Sequence, residues 1–222
     1  VCMKKYPSYL NLSQSQFQER IKQATRVLEA CQLCPHRCGV NRMEGEKGLC
    51  RSTGQLRISS YNAHFGEEPP ISGIHGSGTI FFTNCTLRCV YCQNYPISQM
   101  GNGNPILVSD LSKIMLDLQN QKCHNINFVT PTHFVPQIIE AVEQASIQGL
   151  RIPLVYNTSG YESPNTLRLL ENIIDIYMPD AKYADNMIAE KYSRAENYYT
   201  VIKEALTVMH QQVGDLKLDK NG

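Results

Sequence analysis

Thr79-Ile-Phe-Phe-Thr83-Asn-Cys85-Thr-Leu-Arg-Cys89-Val-Tyr91-Cys92 places three cysteines directly behind a short apolar run. Residues 79–83 read as a strand, so all three thiols come from one loop at a strand's carboxyl end, where α/β folds keep their chemistry. On the carboxyl side the pattern continues. Residues 109–118 read as a helix capped by Ser109, 125–130 as a second strand, and 135–145 as a helix with Ile138, Ile139 and Val142 in one stripe. Residues 152–156 and 173–178 supply the third and fourth strands, and Ser163-Pro164 between them gives a helix its cap and first-turn proline. Helical stretches over 184–194 and 196–213 follow, the second with Val201, Ala205 or Leu206, Met209 and Val213 on one face. Four successive β/α units with near-continuous apolar strands predict an α/β fold, a parallel sheet covered by helices, either doubly wound or a curved barrel segment.

Upstream, Phe17, Ile21, Ala24 and Leu28 stand at helical spacing behind Ser13, which predicts an amphipathic helix over 13–30. It leads into Cys31-Gln-Leu-Cys34-Pro-His36-Arg-Cys38 and then Cys50, in a loop-rich stretch with Gly39, Gly45 and Gly48. Lys plus Arg number 21 and Asp plus Glu 20, so no basic surplus marks a nucleic-acid partner. No apolar run reaches the ~18 residues of a membrane span, and Val1-Cys2-Met3-Lys4-Lys5 is followed by polar residues rather than the apolar core of a secretory signal. A cytoplasmic protein is expected. Nine cysteines, an odd number without a signal, point away from disulfides and toward metal or cluster chemistry.

Cys85, Cys89 and Cys92 suit a cubane iron–sulfur cluster with one iron left open, or a zinc site completed by a distant ligand. Cys31, Cys34, Cys38 and Cys50 suit a closed zinc knuckle or a second cluster about equally. His36, between Pro35 and Arg37, reads as an exposed loop residue, since four thiols already satisfy the usual coordination number. Cys2 and Cys123 stand alone and are assigned no role. His133 and Tyr161 fall at predicted carboxyl ends of strands, either lining a cavity or packed. His64 and His75 flank Glu67-Glu68-Pro69-Pro70 and read as loop residues over the barrel mouth.

The Cys-x-x-x-Cys-x-aromatic-Cys arrangement, with Tyr91 before the last cysteine, resembles the signature of the radical S-adenosylmethionine (SAM) enzymes. Gly66-Glu-Glu-Pro-Pro-Ile-Ser-Gly73, Gly76-Ser-Gly-Thr-Ile-Phe-Phe82, Cys89-Val-Tyr-Cys-Gln-Asn94, Asn127-Phe-Val-Thr-Pro-Thr-His-Phe134 and Tyr177-Met-Pro-Asp180 are similar to the branch related to pyruvate formate-lyase activating enzyme. The resemblance runs from about Cys31 to Leu218. It implies a [4Fe-4S] cluster on Cys85, Cys89 and Cys92, with the SAM amine and carboxylate on the open iron. An electron then cleaves the sulfonium to methionine and a 5′-deoxyadenosyl radical that takes a hydrogen from substrate. It further implies an electron donor such as flavodoxin or ferredoxin, a protein substrate, and neither nucleic acid nor membrane as partner.

Among cofactor contacts, the resemblance lays Tyr91 against the adenine. Where the activases carry Gly-Gly-Glu, this chain has Thr130-Pro-Thr132-His133, so Thr130 and Thr132 would meet the amine with hydroxyls and carbonyls instead of a carboxylate. Asn157-Thr-Ser159-Gly160 resembles the activases' Asp-Thr-Asn-Gly, and Asp180-Ala-Lys182 their Asp-Leu-Lys, whose lysine can pair with the cofactor carboxylate. The implied architecture is a partial (β/α) barrel, with residues 1–66 as a helix and Cys-rich module and 67–222 as the barrel. Relatives usually build six units, so with four strands the chain is expected to be truncated, or to expose a sheet edge that something else covers. The competing readings are a non-catalytic electron carrier, in which the cluster gains a fourth protein ligand, and a zinc-binding module.

Overall fold

The computed structural model describes residues 6–218; Val1–Lys5, with Cys2, and the chain end from Asp219 lie outside the described residues. In chain order the elements are α1 (Gln14–Arg26), β1 (Arg57–His64), α2 (Pro69–Ser72), β2 (Ser77–Phe82), α3 (Tyr95–Ser98) and β3 (Asn104–Pro105). Then come α4 (Val108–Asn120), β4 (Ile126–Val129), α5 (Val135–Ile147), β5 (Leu154–Thr158), α6 (Pro164–Leu169), β6 (Ile176–Pro179), α7 (Asn186–Ser193) and α8 (Tyr198–Val213).

One six-stranded sheet runs in the order β3-β1-β2-β4-β5-β6. The pairs β2–β4, β4–β5 and β5–β6 are parallel, as the four apolar runs predict. Their order follows the chain without reversing, whereas a doubly wound sheet reverses at a switch point. The sheet is therefore a barrel-type arc. β1 and β3 are additions to the sequence reading, and both pair antiparallel. β1 brings part of the segment before residue 67 into the sheet beside β2.

Alternation along the strands divides the two faces. Ile80, Phe82, Ile126, Phe128, Leu154 and Tyr156 join Leu111, Met115, Ile138, Ile139 and Val142 of α4 and α5 in the main core. Thr79, Asn127, Val155 and Ile176 lie in register across the opposite face, with Phe81, Val129, Asn157 and Met178 two residues further on. α1 begins at Ser13 with a capping box to Gln16, and its Phe17 and Ala24 enter the same core.

Some boundaries move. Ser109 is not the cap of α4; the cap position is Leu107, whose N–H donates to the Asp110 carboxylate at 3.2 Å. The apolar run at 173–178 divides, because the N–H groups of Ile173 and Ile174 both donate to the Leu170 carbonyl and prolong the turn after α6. Only its last residues enter β6. No helix among the described residues is long and apolar enough to cross a membrane.

Candidate functional site

The carboxyl ends of β2, β4, β5 and β6 open on one rim of the sheet. Cys85, Cys89 and Cys92 follow β2 there as free thiols. Each sulfur already meets a hydrogen-bonding group: the Leu87 N–H donates to Cys85 at 3.3 Å, the Ser193 hydroxyl to Cys89 at 2.9 Å, and Cys92 lies 3.1 Å from the Ser98 hydroxyl. The end of α7 clamps this loop, since the Ser193 and Tyr192 carbonyls accept from the N–H groups of Arg88 and Val90 at 2.9 Å. Tyr183 lies 2.6 Å from the Ser193 hydroxyl, and its ring meets Tyr91 edge-on. Tyr91 is otherwise exposed. Burial, with the neighbouring Cys89 and Cys92, pushes the Cys85 thiol up to about 12. Beside Cys89, a recess of about 350 Å³ is lined by Arg51, Arg88, Lys191 and Arg194, with no carboxylate among its lining residues.

Past β4, Thr130 sits at φ 53°, and its N–H donates to the Asn157 carbonyl at the end of β5. A β-branched side chain is strained in this left-handed region by ~1–3 kcal/mol. Thr130→Gly is expected to raise stability by about 1 kcal/mol in urea unfolding, after allowance for the looser unfolded chain. A fall would show that the threonine side chain contributes more than its backbone costs.

Thr132 does not present its hydroxyl to the rim. It is 1 % exposed and donates at 2.6 Å to Glu162, a residue the sequence reading does not single out. Thr158 and Tyr156 also donate to that carboxylate, and burial, opposed by these bonds, pushes Glu162 up to about 7. Asn157 is half-buried and Ser159 buried at the end of β5. The Tyr198 hydroxyl of α8 lies 2.6 Å from the Ser159 carbonyl and 2.8 Å from that of Asp180, and accepts from the Lys182 N–H, tying the β5 and β6 ends together. Lys182 pairs with Asp180 at 2.7 Å.

His133 is packed rather than cavity-lining: its Nε2 lies 2.8 Å from the Thr83 carbonyl, its Nδ1 has no partner, and burial lowers it to about 3. Tyr161 is buried and donates to the Glu196 carbonyl. His64 and His75 lie at the opposite rim from the cysteine loop, since His64 pairs with Ser77 at the start of β2 and the His75 ring packs on His124 just before β4. Asn127 donates to Glu67 at 3.1 Å on the face away from the helices, and its buried Oδ1 has no partner.

In the first cysteine group, Cys31, Cys34 and Cys50 are buried and Cys38 is exposed. Burial raises the Cys34 thiol, and Cys50, Cys31 and Cys38 add to it. His36 is not simply exposed: its Nε2 lies 2.8 Å from the Thr86 carbonyl and its ring packs on Tyr161. Arg88 donates to the Leu49 carbonyl at 2.6 Å, and Asn84 to the Ser52 hydroxyl at 3.0 Å. The two cysteine groups are thus stitched together, which their separation in sequence conceals. Cys123 is buried near the amino end of β2, in contact distance of Gly78.

Among the described residues, no three side chains of His, Cys, Asp or Glu converge as they would on one metal ion. A cubane does not demand that, because each thiolate binds a different iron. Three thiols on one loop, each beside a hydrogen-bonding group, fit such a cluster.

The family model described as the Radical SAM superfamily matches residues 79–214. The chain is 32% identical over 196 residues to an uncharacterised protein of Methanocaldococcus jannaschii, covering 83% of this chain and 54% of the relative. It therefore spans about half the length of that curated relative.

Proposed function

The chain belongs to the radical SAM superfamily, and from this we infer that Cys85, Cys89 and Cys92 hold a [4Fe-4S] cluster beside which S-adenosylmethionine binds. What carries the reading is the single loop at the end of β2 that presents three thiols, each with a hydrogen-bonding neighbour. When bound, the cluster supplies the electron that cleaves the sulfonium of SAM and so generates a radical able to take a hydrogen atom from substrate.

The protein's own part is positioning. Leu87, Ser193 and Ser98 stabilise negative charge on the three sulfurs, and α7 holds the loop that carries them. Tyr91, Thr130, Asn157, Ser159, Asp180 and Lys182 offer a ring, hydroxyls, carbonyls and an ion pair for the adenine, amine and carboxylate of SAM. Lys182 would exchange its partner Asp180 for the cofactor carboxylate. Thr132 contributes indirectly, by holding Glu162 between the β4 and β5 loops. The basic recess over Cys89 suits an electron donor with an acidic face, as a flavodoxin or ferredoxin could present. The stretches that resemble pyruvate formate-lyase activating enzyme extend the proposal to hydrogen abstraction from a protein glycine.

The test is anaerobic reconstitution with iron and sulfide, followed by electron paramagnetic resonance of the reduced protein with and without SAM. A spectrum that changes on adding SAM is expected, because an open iron takes up the cofactor. An unchanged spectrum would point to a closed electron carrier, and zinc without iron to a zinc module.

A further inference from the structure

Gly66-Glu-Glu-Pro-Pro-Ile-Ser-Gly73 lies between β1 and β2 at the amino end of the sheet, away from the cysteine loop. Asn125 pins it there: its side-chain amide donates to the Ile71 carbonyl at 2.8 Å, and its oxygen accepts from the Ser77 hydroxyl at 2.6 Å. Within the stretch, the Ser72 hydroxyl donates to the Glu67 carbonyl at 2.9 Å, and the Ile71 and Ser72 N–H groups donate to the carbonyl of Glu68. The backbone around Glu67 is thereby fixed. Its half-buried side chain reaches the sheet, where Asn127 of β4 donates to the carboxylate at 3.1 Å.

Asn127 is 0 % exposed and stands between Thr79 and Val155 on the face away from α4 and α5. It lies two residues, about 7 Å of strand, before the end of β4, and so below the rim that carries the three thiols. Its nitrogen faces Glu67, while Oδ1 has no partner among the described residues. Native proteins rarely keep a buried acceptor in that state. Glu67 in turn belongs to none of the ion pairs among the described residues. The charges acting on it are His64, Glu68 and Asp180, two of them negative.

We propose that Glu67 and Asn127 form a substrate subsite for a cationic group rich in N–H donors, a primary ammonium or a guanidinium. The carboxylate offers charge and a second oxygen, and the amide offers Oδ1, so one such cation satisfies both. A neutral ligand would leave the carboxylate without a counter-charge, and an anion would meet it head-on. A group held here lets the rest of its molecule extend toward the strand ends and the cysteine loop. Naming the occupant a substrate rests on the radical reading above, whereas the preference for a donor-rich cation does not.

The probes are methylguanidinium and methylammonium chlorides, with tetramethylammonium, which carries the charge but no N–H, as the control. Saturation-transfer difference NMR on the reconstituted chain is expected to show saturable binding of at least one of the first two and none of the third. Glu67→Gln, which keeps the side chain's shape, and Asn127→Leu, which removes the acceptor, are each expected to raise the dissociation constant about tenfold or more. No binding of either donor cation, equal binding of all three, or binding that neither variant weakens would overturn the subsite. Should the variants lose the parent's near-ultraviolet circular dichroism, the three cations compared on the parent decide alone. SAM carries an ammonium too. A Glu67→Gln chain whose reduced paramagnetic resonance spectrum no longer responds to SAM would therefore assign the pair to the cofactor and overturn the substrate role. Selective cation binding by a parent whose spectrum ignores SAM would leave the cation subsite standing and sink the radical reading alone.

Discussion

Replacing Cys85, Cys89 and Cys92 together by alanine reduces SAM cleavage to background, a loss of at least about 10³-fold, or ~4 kcal/mol of barrier. The loss is that large because no other cysteine among the described residues can take over. Cys123 lies buried near the amino end of β2, and the first cysteine group is held by its own hydrogen bonds to Val40, Gly39 and Leu49. The fold itself should survive. The three side chains are small, they sit on a loop beyond the strand, and the clamp by α7 runs through the backbone N–H groups of Arg88 and Val90, which alanine at 85, 89 and 92 leaves in place. The measurement is methionine and 5′-deoxyadenosine release under dithionite. Cleavage at the parent rate would place the cluster elsewhere.

Glu162→Gln removes most of a pH dependence of stability. The Glu162 carboxyl is fully buried, and burial raises it from 4.5 to about 7 despite donors from Thr132, Thr158 and Tyr156. A carboxyl raised on folding binds a proton in the native state that the unfolded chain releases. Between roughly pH 4.5 and 7 stability therefore falls as pH rises, and above 7 the full penalty of a buried charge remains, on the order of 3 kcal/mol. Glutamine keeps the shape and an acceptor for the threonines while carrying no charge. The variant should match the parent near pH 4.5 and exceed it by roughly 2–3 kcal/mol at pH 8, the difference isolating Glu162 from other titrating groups such as His133. Urea unfolding at both pH values reads this directly, and parallel curves for the two proteins would contradict it.

The parallel strands were readable because β2, β4 and β5 are largely buried and β6, although half-buried at the sheet edge, keeps an apolar run, and the cysteines because their spacing is local. β1 was not. Arg57–His64 is half-buried or exposed along most of its length, alternates poorly, and is held chiefly by backbone pairing with β2 and β3, with Ile58 its one buried residue. β3 is two residues long, too short for any periodicity. The side chains that complete the site were hidden for a different reason. Ser193, Tyr198 and Glu162 are single residues of ordinary type, given their roles by partners such as Cys89, Ser159 and Thr132 that lie 104, 39 and 30 residues away. Nothing in Glu-Ser-Pro at 162–164 distinguishes a buried carboxyl from a loop glutamate, and only the hydroxyls of Thr132, Thr158 and Tyr156 around it do so.

The clamp of α7 on the cysteine loop also sets when in synthesis that loop can take its final shape. Cys89 and the serine that donates to it are 104 residues apart, so a ribosome adding ~5–20 residues per second needs roughly 5–20 s to make the second after the first. Throughout that interval the three thiols hang on a nascent chain whose supporting helix has not yet been synthesised. The loop therefore takes its final hydrogen bonds only once residue 193 has been made and α7 has folded back on it.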